Sequence, residues 1–201
     1  MALLQLPFEV VPAEINEQSF EWEEPSEVVA TLAAQKAETV AKKIVDARVF
    51  GMEVLEGTVV VGADTLISVG DQIIGKPENR EKAKEIIQKL AGREHEVWTG
   101  LCVLDVDTKD RVVEVEKTVV RFLPMSEKDV EKYLDTNEWM GKAGAYQVQG
   151  VIKKYIKDIE GGYTNVIGLP MLTLVEMLER MGVWVEVGVE DVLVQNFGKP
   201  N

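Results

Sequence analysis

Helical and strand patterns alternate along this chain with hairpins interleaved among them. This predicts an α/β fold, a mixed β-sheet flanked by helices rather than a purely parallel one. The composition agrees: 201 residues at 46% hydrophobic and 28% charged hold enough apolar material for a sizeable core, which excludes a disordered chain. No repeat, low-complexity tract or Ser/Gly linker divides the chain, so residues 1–201 read as one domain, with 188–201 as a C-terminal extension outside the core.

After Pro25, Ser26 is placed to cap a helix whose apolar residues Val29, Leu32, Ala33, Ala37, Val40, Ala41 and Ile44 recur every three or four positions, ending near Asp46. Lys36, Lys42 and Lys43 then fall at its wet edge. The β-branched run 58–61, the segment Gly62-Ala63-Asp64-Thr65, and residues 66–69 and 72–74 around Gly70-Asp71 read as a buried strand entering a hairpin. Asn79 caps a second helix with Ala83, Ile86, Ile87 and Leu90 inward and Gly92 as its stop. Two long strands follow, 96–105 and 112–123, joined by Asp107-Thr108-Lys109-Asp110. In the second, Val113, Val115, Lys117, Val119 and Arg121 share one side. Ser126 opens a helix through Leu134, residues 146–159 look extended, Pro170 starts a helix ending at Met181-Gly182, and 183–187 form a closing strand.

Charge and rare residues exclude several functions. The net charge is -13, and residues 1–27 hold seven glutamates with no Lys or Arg, so nonspecific nucleic-acid binding is not expected. There is no apolar span of membrane length and no secretory leader, which gives the cytoplasm as the expected compartment. One cysteine, Cys102, forms no internal disulfide, and one histidine, His95, leaves no zinc set, so any metal must be held by oxygen. Cys102 and His95 read as structural residues.

Four groups are candidates for chemistry. Asp64 leaves an apolar strand beside a glycine, where it can hold a divalent cation or take a proton from water; taken alone, Gly62-Ala63-Asp64-Thr65 fits an Asp that stabilises a turn somewhat better. Lys76, in Gly75-Lys76-Pro77, is placed to reach an anion or simply to be solvated. Lys36 has the same two readings. In residues 141–150, small residues flank Tyr146 and Gln149, and an amide pairs with a base edge by offering donor and acceptor together. No P-loop or Gly-x-Gly-x-x-Gly pattern is present.

The ordered blocks Val59-Val60-Val61-Gly62-Ala63-Asp64-Thr65, Gly75-Lys76-Pro77, Leu90-Ala91-Gly92-Arg93-Glu94-His95-Glu96-Val97-Trp98-Thr99-Gly100, Lys142-Ala143-Gly144-Ala145-Tyr146-Gln147-Val148-Gln149-Gly150 and Asn165-Val166-Ile167-Gly168-Leu169-Pro170 resemble the Maf family of nucleoside triphosphate pyrophosphatases. The resemblance implies the elongated mixed sheet of the inosine triphosphate pyrophosphatase fold, with two lobes around a cleft. It also implies hydrolysis of a nucleoside triphosphate to a monophosphate and pyrophosphate with a divalent cation, Mg2+ or Mn2+. By the same resemblance Asp64 is the general base, Lys36 and Lys76 contact phosphates, and Glu17 with Asp64 holds the metal. Thr65 and Gln149 match the branch that prefers dTTP and UTP, and a homodimer is implied.

The family pattern also places a strand and a Ser-Pro-Arg-Arg loop before residues 3–12, supplying a serine and two arginines to the triphosphate. The chain begins inside the helix that follows, so the chain as given is expected to be nearly inactive. Gln147 stands where the family usually has glycine, Asn16 where it usually has aspartate, and the connection 49–57 is long. Two functions follow from the resemblance: an active pyrophosphatase whose start lies upstream, or a noncatalytic nucleotide-binding or regulatory protein on the same scaffold.

Overall fold

An eleven-residue strand, β1 (Val59–Val69), passes through Gly62, Ala63, Asp64 and Thr65 without a break, so Asp64 belongs to a ladder and not to a turn. The computed structural model describes residues 2–15, 24–51 and 55–197. Its sheet has the order β2-β1-β3-β4-β5, with β2 (Gln72–Ile74), β3 (Glu94–Asp105), β4 (Arg111–Phe122) and β5 (Ile156–Glu160). Every pairing among the described strands is antiparallel, where the sequence suggests a mixed sheet. Short turns after β1 and β3 produce two of these pairings. A helix at Arg80–Leu90 then carries the chain past β1, so that β2 and β3 flank that strand instead of pairing with each other.

The pleat sorts the side chains to two faces. Helix α1 (Pro25–Val49) lies on one, where Ala33, Ala37, Val40 and Ala41 meet Val60, Cys102 and Leu104. The opposite face is covered by α2 (Arg80–Leu90), α3 (Glu127–Leu134), α4 (Tyr163–Ile167) and α5 (Met171–Arg180). There Leu101, Val103, Leu174 and Leu178 form one apolar cluster, and Ile67, Ile87, Val97, Val120 and Tyr146 form another. The α/β class with flanking helices therefore stands.

Several boundaries differ from the sequence reading. Pro25 occupies the first turn of α1, Glu24 supplies no side-chain cap, and the helix runs on to Val49. Asn79 and Ser126 do cap α2 and α3, accepting from Lys82 N–H at 2.8 Å and Asp129 N–H at 3.2 Å. Residues 146–155 form no strand: Tyr146 and Gly150 have extended backbone, but 3-10 turns at Ala143–Ala145 and Val151–Tyr155 precede β5. Residues 183–187 form no strand. Val183, Val185 and Val187 satisfy their alternation by packing half-buried on the α5 cluster, without a ladder partner. The segment after Gly188 contains a helix, α6 (Val189–Phe197), whose Val189 and Leu193 rest on that same cluster, so it is not wholly outside the core.

Candidate functional site

Two glycines set the site. Gly62 on β1 and Gly100 on β3, which pairs with Asp64, both lie under α1. A Cβ at Gly62 would stand 2.3 Å from the Ala33 carbonyl oxygen, and one at Gly100 would stand 2.2 Å from that of Val29. The helix backbone therefore rests on bare strand backbone, a contact that only glycine permits. The neighbour that approaches Gly62 is thus a helix and not a ligand. This seating brings Lys36, one residue before Ala37, onto Asp64: Lys36 Nζ donates to Asp64 Oδ1. The carboxylate side chain is only 10% exposed. A paired, mostly dehydrated Asp is oriented by its partner, and the Lys36 ammonium brings positive charge to the same place.

A cleft of about 420 Å³ opens beside this pair. It lies between Lys36 of α1, the segment carrying Glu14 and Ile15, and the Val61–Ala63 edge of β1. Lys43 holds that segment in place, donating to the Pro12 carbonyl at 2.9 Å and to Glu14 Oε2 at 3.0 Å. On its side away from β3, β1 meets a described strand only at Ile67–Val69, where β2 pairs. Among the described residues the cleft thus runs along a strand edge left open by the other strands.

Thr65 faces the other side of the sheet. Its hydroxyl lies 2.9 Å from that of Thr99, which is fully buried and donates to the Asn165 carbonyl at 3.3 Å. Asn165 is itself fixed, its Nδ2 donating to Val97 O at 3.1 Å and to Thr118 Oγ1 at 2.9 Å. Thr99 and Asn165 were legible in the motif blocks as positions, but without any role.

The remaining candidates are more scattered. Lys76 is exposed in the loop after β2, and its neighbour Gly75 accepts from Gly144 N–H at 3.4 Å. That bond joins the lysine loop to the 143–146 turn, where Gly144 and Ala145 have φ of 66° and 59°. Gln149 is exposed and sits in the turn expected for it. Glu17 lies outside the described residues. The structure therefore brings Lys36 and Asp64 into contact and turns Thr65 to the opposite face of the sheet.

Tyr146 and His95 belong to the core. Their OH and Nε2 are 2.8 Å apart, and both rings pack edge-on against Phe122. Burial lowers the His95 pKa from 6.5 to about 4 and pushes that of Tyr146 upward, so both stay neutral at physiological pH. Cys102 is buried, and burial raises its thiol pKa.

The model of the Maf-like protein family matches residues 1–181. This chain belongs to the Maf family. The match ends at the close of α5, so α6 lies beyond it. The Maf chain is 41% identical to the dTTP/UTP pyrophosphatase of Pelotomaculum thermopropionicum over 89% of its own length and 88% of that protein's. It is 40% identical to the dTTP/UTP pyrophosphatase of Desulforamulus reducens, over 90% and 88%. With the protein of that name from Ruminiclostridium cellulolyticum it shares 37%, over 89% and 87%. Among the described residues of this Maf chain, no helix is long and apolar enough to cross a membrane, and no three His, Cys, Asp or Glu side chains cluster as a metal site.

Proposed function

We propose that this Maf protein hydrolyses a pyrimidine nucleoside triphosphate of the dTTP/UTP type to the monophosphate and pyrophosphate. The observation that carries the proposal is the Lys36–Asp64 contact beside a cleft at an open strand edge, in a chain whose relatives bear that enzyme name. A nucleotide lying along the β1 edge can reach both faces of the strand, with phosphates toward Lys36 and the base toward Thr65. Asp64 then orients a water at the α-phosphorus and accepts its proton. Lys36 and Lys76 offset the negative charge that builds on the phosphoryl oxygens and on the departing pyrophosphate. Placing water and phosphate together in one cleft supplies a large part of the rate.

The donor set fits a hard divalent cation. Mg2+ is commonly held by one or two carboxylates with substrate phosphates and water completing the shell, so a single described carboxylate, Asp64, suffices without a three-acid cluster. Asp64 and Glu17 would hold the ion, Mg2+ or Mn2+, and when bound it supplies further positive charge to the phosphates. Small nucleotides rather than nucleic acid are the substrate, consistent with the net charge of -13. The cytoplasm is the compartment we assign, and a homodimer the assembly.

Pyrophosphate release from dTTP and UTP in the presence of Mg2+ tests the reading. Turnover by the wild-type chain, lost in Asp64→Asn, is expected. Identical rates for the two proteins would overturn the assignment of Asp64.

A further inference from the structure

The Thr99 hydroxyl has a single proton and two oxygens within reach, Thr65 Oγ1 at 2.9 Å and the Asn165 carbonyl at 3.3 Å. The carbonyl can only accept, whereas the Thr65 hydroxyl can do either. Both hydrogen bonds form together only if Thr99 donates to the carbonyl and Thr65 donates to Thr99. Thr99 has no exposed surface, and a hydrogen bond left unmade there costs free energy, so the arrangement that satisfies both is favoured.

The Asn165 carbonyl cannot turn away from this role. It also accepts from Gly168 N–H at 2.8 Å, and the Asn165 side chain is tied to Val97 and Thr118. The Thr65 hydroxyl consequently spends its proton inward and presents only lone pairs outward. Gly168, at φ 103°, lies against that side without a side chain of its own: a Cβ there would stand 3.3 Å from Thr65 Oγ1.

We infer that Thr99 and Asn165 are positioning residues that fix the polarity of the Thr65 hydroxyl. It meets the base as a hydrogen-bond acceptor and, set against ring N3, admits bases with an N–H there, as in uracil and thymine, over one with a bare nitrogen, as in cytosine. This rests on the reading that the base lies against Thr65.

The test is calorimetric titration of the full chain with the α,β-imido analogues of UTP and CTP and Mg2+, which needs no turnover. Thr99→Val keeps the shape of the side chain and removes the relay while Gly168 still satisfies the carbonyl. It is expected to lower the UTP-to-CTP affinity ratio about tenfold, the scale of one misdirected hydrogen bond. Thr99→Ser is expected to retain the ratio, and Thr65→Val to abolish it. If Thr99→Val does not fold, Thr99→Ala carries the same expectation. A wild-type ratio in Thr99→Val together with a collapsed ratio in Thr65→Val overturns the relay and leaves the base reading standing. Equal weakening of both analogues in Thr99→Val also overturns it, reducing Thr99 to packing. An unchanged ratio in Thr65→Val, or no binding of either analogue by the wild type, overturns the nucleotide reading beneath it.

Discussion

The face of β1 that carries Gly62 and Asp64 is closed by the backbone of α1, whereas the face that carries Thr65 and Ile67 is closed by side chains of the 143–146 turn and by residues 165–168. On the first face, geometry is set by missing side chains: two glycines let a helix sink until its lysine meets a carboxylate. Added atoms there have nowhere to go. On the second, geometry is set by directed hydrogen bonds and aromatic edges, which tolerate changes of shape better than changes of polarity. The two sides of one strand thus differ in what would damage them, with the Lys36–Asp64 pair on the rigid side and the Thr65 hydroxyl on the polar one.

The largest expected effect tests whether the α1 face is the reacting one. Asp64→Asn should slow pyrophosphate release by roughly a hundredfold to ten-thousandfold, the usual contribution of a positioned base. A loss below about threefold would move the chemistry off this face.

Gly100→Ala addresses how the face is closed. Its Cβ would meet the Val29 carbonyl at 2.2 Å, so α1 must lift, and a cost of about 3 kcal/mol is expected by urea denaturation. A cost under about 0.5 kcal/mol would show that the glycine seat is not what holds the helix.

The opposite face should respond to pH. Because burial depresses His95 to about 4, the unfolded chain takes up a proton near pH 6.5 that the folded protein refuses. The stability held by neutral His95 is complete above pH 6.5 and is lost as pH falls toward 4. Between pH 7 and 4.5 the wild type should therefore lose about 2 kcal/mol more than His95→Gln in paired denaturation curves. Parallel losses in the two proteins would contradict a neutral, buried imidazole. The smallest effect is expected at Gln149, which is exposed: Gln149→Ala should leave stability within about 0.5 kcal/mol, and a larger loss would show that the amide is tied down.

Much of the fold was readable from pattern. The caps at Asn79 and Ser126, the inward stripe of α1 and the two long strands are local signals, and they survive because packing agrees with them. The misreadings have a common source. The segment around Gly62 looked like a turn because glycine and aspartate usually mark one, yet here the glycine answers to a helix 29 residues away at Ala33. Val183, Val185 and Val187 alternate as a strand should, but alternation reports burial of one side and not the presence of a partner ladder. The antiparallel pairing of β1 with β3 was equally out of reach, since it depends on how α2 crosses the sheet.

Residue identity alone determined the class of the chain, its family, and which carboxylate and amines were worth watching, because motif order and periodicity are properties of the linear chain. Only the tertiary structure decided that Lys36 meets Asp64, that Thr65 looks the other way, and that Thr99 and Asn165 stand behind it. Those relations join residues separated by 28, 34 and 66 positions, and contacts across such distances are set by the packing of helix on glycine and strand on strand, which no local pattern encodes.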